Sequence, residues 1–267
     1  MQILTKEIST RTATFVSQIE QSAHLPVRYF DISARPNISD GVFGTVDTHP
    51  NDGIYKVWLQ SALPQEPFEA DLLHELRHIL QVESGCSEVY NKDSAEFHGP
   101  NRAFIQNVGA HLSSAILDAE VNSWLTHIGY SQEYFSTINL DTLLSVSDHG
   151  HINIEDPLEF ADLCLKIVHS ALSTNGTSMQ KICAAYSSYQ RATQTASEMY
   201  SKLSEISLDN LNSIMLGHCL VVDSLNLWRY YYVATPRIRI RTHGEYVAFF
   251  APRNTDRNTL GQAPHGV

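Results

Sequence analysis

Two histidines and a glutamate occur in the order His74-Glu75-Leu76-Arg77-His78, within a stretch whose apolar residues recur at helical spacing. In an α-helix with about 3.6 residues per turn, His74 and His78 lie on the same face, so both imidazoles can reach one metal ion. Glu75 lies to one side, where its carboxylate can take a proton from a water molecule on the ion. The pattern predicts a zinc site with His74 and His78 as ligands and Glu75 as general base.

The flanking residues predict that this motif lies on a helix. Pro67 suits a first helical position, the acidic residues after it favour the positive end of the helix dipole, and Gly85 suits the helix end. A wide apolar face is formed by Phe68, Leu72, Leu73, Leu76, Ile79 and Leu80. We therefore expect the histidines on a semi-buried helix. Two structural histidines within a core helix are the alternative interpretation.

A catalytic zinc ion needs three protein ligands and one open position, so a third ligand is required. The apolar spacing over residues 104–127 predicts a second long helix, which contains Glu120. Glu120 falls on or beside the apolar face, where an unpaired carboxylate would cost several kcal/mol, and a metal ion would be a suitable partner. The alternative third ligands are Asp118, His98 and His111. Asp118 is also a candidate for orienting a ligand histidine.

The order of predicted elements resembles that of the zincin metallopeptidases. An amphipathic helix over residues 5–22 precedes three strands, at about 27–32, 41–48 and 54–60, and the helix with the histidine motif follows. In zincins the strand before the active-site helix is usually an edge strand that binds an extended substrate. The resemblance therefore implies that residues 54–60 form an edge strand and pair with a peptide.

Within the zincins, the chain is most similar to the gluzincin branch, and especially to the small ImmA/IrrE-type family. The metzincin pattern is not met, because Gln81 stands where its glycine belongs and Ser84 where its third histidine belongs. Gluzincins take their third ligand from a glutamate of a following helix, which implies Glu120. The resemblance covers residues 5–130 and implies a zinc-dependent peptidase that acts on a protein or peptide, as bacterial and phage relatives cleave repressors or act in stress responses.

Peptide hydrolysis also needs a hydrogen-bond donor for the oxyanion that forms when water adds to the carbonyl. Tyr130 and His127 follow the second long helix and are candidates for this role. His149 and His151 are further candidates, either as donors or as ligands of a second metal ion, although a polar loop with glycine is usually only solvated.

The remainder of the chain predicts scaffold rather than chemistry. Helices are expected over residues 157–172, 179–206 and 208–227, followed by a hairpin of strands at 237–241 and 246–250 and a flexible tail after 252. The expected fold class is α+β: a zincin-like small antiparallel or mixed sheet with the active-site helix and the glutamate helix, then a mostly helical region. We place a catalytic domain at residues 1–135 and a helical extension at 136–267, with packing as one domain as the alternative.

Composition limits the classes of function. The formal charge of −11 and the isoelectric point near 5.5 argue against a nucleic-acid partner, which would need a basic face. No stretch of the 267 residues reads as a membrane span, and four scattered cysteines fit reduced thiols, so a cytoplasmic protein without a membrane partner is expected. Two rival functions stay open: a catalytically inactive zincin-like peptide-binding module, and a helical interaction protein with structural histidines.

Overall fold

The computed structural model describes residues 1–35, 42–92, 101–146, 152–235 and 239–240. The chain divides into two compact units. The first comprises Met1–Ser84 and Glu120–Ile138, and the second comprises Gly85–Ala119 and Asn139–Val267. The boundary expected near residue 135 assigns residues 85–119 to the first domain, whereas the packing of this segment assigns it to the second unit.

Helices and short strands make up both units. In chain order, the described elements are β1 (Gln2–Ile3), β2 (Lys6–Glu7), α1 (Thr10–Ser22), β3 (Val27–Asp31), β4 (Gly44–Asp47), β5 (Tyr55–Leu59), α2 (Gln65–Ser84), β6 (Glu88–Asn91), α3 (Arg102–His127), α4 (Glu133–Val146), α5 (Pro157–Ser173), α6 (Met179–Ala185), α7 (Gln190–Ser204), α8 (Leu211–Ser224), β7 (Tyr231–Ala234) and β8 (Arg239–Ile240). This content confirms the α+β class. The boundary between the two units falls within α3.

The sheet of the first unit has the strand order β3-β5-β4. Strand β5 is parallel to β3 and antiparallel to β4, with Val57 opposite Tyr29 on one side and Val46 on the other. The expectation that residues 54–60 form an edge strand is therefore wrong, because the backbone groups on both sides of β5 pair with neighbouring strands. Among the described residues, β3 and β4 are the outer strands of this sheet.

Helix α2 carries the histidine motif through the core of the first unit. Its apolar face is fully buried at Phe68, Leu72, Leu73, Leu76 and Ile79 and packs in a cluster with buried residues of α1 and β5. Pro67 lies in the first turn, where a missing N–H group removes no helical hydrogen bond. Gly85 ends the helix with a φ of 78°, a left-handed conformation that glycine adopts without strain. The predicted semi-buried helix is confirmed.

The N-terminal segment differs from the single helix predicted over residues 5–22. Strands β1 and β2 form a short antiparallel hairpin before α1 begins at Thr10. The Ser9 side chain accepts a hydrogen bond from the backbone N–H of Thr12 and so caps the helix. The cap places the helix start five residues later than the apolar spacing indicated.

The second unit is mostly helical, as predicted for the later part of the chain. Helices α5 and α8 match the predicted segments, whereas the segment predicted as one helix over 179–206 is broken at 186–189 into α6, a 3-10 turn and α7. Helix α4 and strand β6 were not predicted. Strand β6 pairs with β7, which also pairs with β8. The predicted return strand at 246–250 and the tail lie outside the described residues. Within the described part of the chain, every helix is too short or too polar to cross a bilayer.

Candidate metal centre

Helix α2 places His74 and His78 side by side. Their ring centroids lie 4.8 Å apart and their planes meet at 75°. Both histidines are partly buried, and Glu75 between them is only 7% exposed. The spacing of the motif therefore has the expected geometry, with two imidazoles on one face and a buried carboxylate at their side.

Gln81 holds the imidazole of His78 from the next turn of α2. Its side-chain oxygen Oε1 lies 2.7 Å from Nδ1 of His78. Its amide nitrogen Nε2 lies 2.8 Å from Oε2 of Glu120 on α3. A carboxylate accepts hydrogen bonds, so the amide NH₂ group must face Glu120 and the amide oxygen must face His78. Nδ1 of His78 therefore carries a proton, so Nε2 is the nitrogen of this ring with which His78 can bind a metal ion.

The carboxylate of Glu120 contacts Arg77 and Gln81, which is not the set of partners expected for a third ligand. Nε of Arg77 lies 3.2 Å from Oε1 and 3.3 Å from Oε2 of Glu120, and Nη2 of Arg77 also contacts Oε1. Glu120 is 5% exposed, so it does have the partner that its burial requires. That partner is a guanidinium, and Gln81 links Glu120 to His78.

Asp71 lies one turn before Glu75 on the buried side of α2. Burial raises the pKa of Asp71 well above its usual range, and the charge of Glu75 raises it further. Oδ2 of Asp71 is buried without a hydrogen-bond partner. The backbone of Gly44 on β4 packs directly against this carboxyl group, since a Cβ atom on Gly44 would lie 2.5 Å from Oδ2. Asp71 is therefore a tightly enclosed neighbour of Glu75 whose charged form is disfavoured.

Sequence reasoning did not assign Gln81 and Asp71 to the site. Each lies one helical turn from a motif residue, Gln81 three positions after His78 and Asp71 four positions before Glu75. Polar residues at these spacings on a helix face each other, and this spacing is the signal that could have identified both.

The alternative ligands Asp118 and His111 lie on α3, and both have partners on α5 in the second unit. Oδ2 of Asp118 lies 3.2 Å from Nε2 of His169. Burial by itself would lower the pKa of His169, but the hydrogen bond and the charge of Asp118 raise it overall. Nδ1 of His111 lies 2.7 Å from Oδ1 of Asp162, so His111 pairs with a carboxylate. His98, the remaining alternative, lies outside the described residues.

Tyr130, a candidate oxyanion donor, is part of a buried polar network. Thr12 donates its hydroxyl proton to Glu69, so the Tyr130 hydroxyl, 2.7 Å from Oγ1 of Thr12, donates to that oxygen. Glu69 also accepts from the backbone N–H and the hydroxyl of Ser9. Tyr130 is only 7% exposed and joins the end of α3 to the start of α1, which is a structural role.

The other candidate oxyanion donors are three histidines. His127 is exposed at the end of α3, and His149 and His151 lie outside the described residues.

Comparison of the chain with protein-family models, with curated proteins and with solved structures gives no match.

Proposed function

We propose that this chain is a zinc-dependent peptidase of the zincin type, with His74 and His78 as ligands and Glu75 as general base. The observation that carries the proposal is the arrangement of the two histidine side chains on α2. Its imidazoles lie face to edge 4.8 Å apart, and Gln81 already fixes the proton of His78 on Nδ1. Two imidazoles on one helix face suit zinc, because histidine is a common ligand in catalytic zinc sites.

We do not propose Glu120 as the third ligand. Glu120 is held by Arg77 and Gln81, and a carboxylate that neutralises a guanidinium is a poor candidate for a second cation.

Glu75 would move the proton in the reaction. A zinc ion in the site would polarise the scissile carbonyl and acidify the attacking water. Glu75 accepts one proton from that water as its oxygen forms a bond to the carbonyl carbon, and then delivers this proton to the amine nitrogen as the C–N bond breaks.

The sheet suggests where a protein or peptide substrate would bind. An extended substrate pairs with an outer strand, and β4 is the outer strand that packs against α2. We therefore propose β4 instead of β5 for this role. A cytoplasmic location is part of the proposal, and it is supported by the four cysteines at 86, 164, 183 and 219, which form no disulfide.

A peptide-library assay tests the proposed activity. The zinc-loaded protein should cleave peptides from a proteome digest, detected as new termini by mass spectrometry. Glu75→Gln should lower the rate by about 100-fold or more while zinc stays bound, because only the proton acceptor is lost. Glu66→Gln, an exposed position in the first turn of α2, is the matched control and should leave the rate unchanged.

The rival functions predict different results in the same assay. Bound zinc without cleavage of any peptide by the wild type would favour a peptide-binding module. Absence of zinc binding would favour a helical interaction protein in which His74 and His78 are structural. Full activity of Glu75→Gln would refute the proposed mechanism.

A further inference from the structure

A series of contacting polar side chains leads from His78 to the ring of Trp124 on α3. Gln81 links His78 to Glu120 through contacts of 2.7 and 2.8 Å. Glu120 in turn is held by the guanidinium of Arg77. The Arg77 guanidinium lies over the ring of Trp124, 5.1 Å from its centroid, which is a cation–π arrangement. All five side chains belong to the first unit.

The donors and acceptors in this series of contacts are fixed, because the positive charge of Arg77 holds Glu120 at one end. Arg77 carries only donors, so both oxygens of Glu120 act as acceptors. Glu120 must then receive the NH₂ group of Gln81, and the amide oxygen of Gln81 is turned toward His78. A carboxamide rotated by half a turn would place its oxygen against the carboxylate of Glu120, which is unfavourable.

We propose that Gln81 is a positioning residue that fixes the tautomer and ring orientation of His78, with Glu120 and Arg77 fixing Gln81. The proposal rests on the proposed function only in naming zinc as the metal that His78 binds. The tautomer itself is a property of the metal-free protein. A neutral histidine with its proton on Nδ1 presents the Nε2 lone pair to a ligand. Glu120, expected to bind the metal directly, supports the site two contacts away.

Nitrogen NMR on the metal-free protein tests the tautomer. In a long-range ¹H–¹⁵N correlation spectrum of wild type at neutral pH, His78 should show a protonated Nδ1 and an unprotonated Nε2. In Gln81→Leu, which removes the acceptor and keeps a similar volume, the proton should move to Nε2 in a large part of the population. A wild-type His78 with its proton on Nε2 would overturn the proposal without any use of zinc.

Zinc affinity gives the second readout. Gln81→Leu should weaken binding in a chelator competition by about 10- to 100-fold, the usual range for loss of a group that orients a ligand. The double variant Gln81→Glu/Glu120→Gln reverses the donor and acceptor between positions 81 and 120 but keeps an acceptor toward His78. It should recover most of the lost affinity, whereas Gln81→Glu alone places two carboxylates together and should not.

A matched control separates positioning from general destabilisation. Gln194→Leu changes an exposed glutamine of α7 that bonds to Glu198 and should leave zinc affinity unchanged. If the double variant is as weak as Gln81→Leu, the positioning role is refuted. If wild type binds no zinc at all, the proposed peptidase function fails, and the NMR result still decides the role of Gln81.

Discussion

Arg77, which lies between Glu75 and His78 in the motif, forms a salt bridge with Glu120 on α3. The side chain of Glu120 is 6% exposed and that of Arg77 is 26% exposed, so the pair is largely withdrawn from water. The turn of α2 that presents the histidines therefore also supplies the cation for Glu120. This pairing separates two roles that the sequence had combined, since a buried glutamate that needs a partner is not necessarily a metal ligand.

Replacing Glu120 should distinguish these roles. Glu120→Ala should keep one bound zinc ion with affinity lowered by about 10- to 100-fold, because only the support of His78 through Gln81 is lost. It should also lower the free energy of unfolding by about 1–3 kcal/mol, since Arg77 remains without its carboxylate. Loss of zinc from Glu120→Ala at concentrations that saturate wild type would instead identify Glu120 as a ligand.

Tyr130→Phe should affect stability and leave catalysis unchanged. The hydroxyl of Tyr130 donates to Thr12 within the buried network of Glu69 and is not placed to meet a substrate. Loss of one such hydrogen bond should cost about 1 kcal/mol in a chemical denaturation experiment. A large fall in the turnover rate, by about 100-fold or more, with unchanged stability would instead identify Tyr130 as the oxyanion donor.

Asp71→Asn should change how stability depends on pH. The folded protein keeps a proton on Asp71 above the ordinary pKa of 3.8, where the unfolded chain has released it. The free energy of unfolding therefore falls as pH rises from that value through the raised pKa of the folded state. An asparagine has no such proton to lose, so the variant should gain stability relative to wild type as pH rises. The free energy of unfolding of both proteins is measured by chemical denaturation from pH 4 to pH 9. A difference between the two proteins that stays constant over this range would contradict the prediction.

His218 in the second unit should make the protein sensitive to acid. Burial lowers the pKa of His218 to about 4, while its Nδ1 lies 2.9 Å from Oγ of Ser87. The unfolded chain takes up a proton near pH 6.5 and the folded protein only near pH 4, so stability is full above pH 6.5 and falls below it. His218→Gln should flatten the loss between pH 6.5 and 4, measured by thermal unfolding. An unchanged slope in this window would contradict the assignment.

The sequence predicted those parts of the site that depend on local spacing. The helix of the motif and the adjacent positions of His74 and His78 follow from residues a few positions apart, and both are present in the structure. The partner of Glu120 is Arg77, which lies 43 positions away in the sequence. Helical periodicity identifies Arg77 only as a polar residue. The tautomer of His78 likewise depends on a contact between α2 and α3.

Strand order was the part of the fold that local pattern could not determine. Residues 55–59 alternate buried and partly buried positions, and this alternation is the same for a central and for an outer strand that covers a helix. The central position of β5 results from its pairing with β3, which is parallel and 28 positions earlier. The division into two units also depends on contacts between segments that are distant in the sequence, because each unit contains part of α3.

Titration of the metal-free protein with zinc, with peptide hydrolysis as the readout, tests whether the chain is a zinc-dependent peptidase. Hydrolysis should be absent at the start, rise in proportion to added zinc and saturate at one zinc ion per chain. The double variant His74→Ala/His78→Ala should show no hydrolysis at any zinc concentration that saturates wild type. Hydrolysis by metal-free wild type at the same rate, or zinc bound at one ion per chain without hydrolysis, would contradict the account.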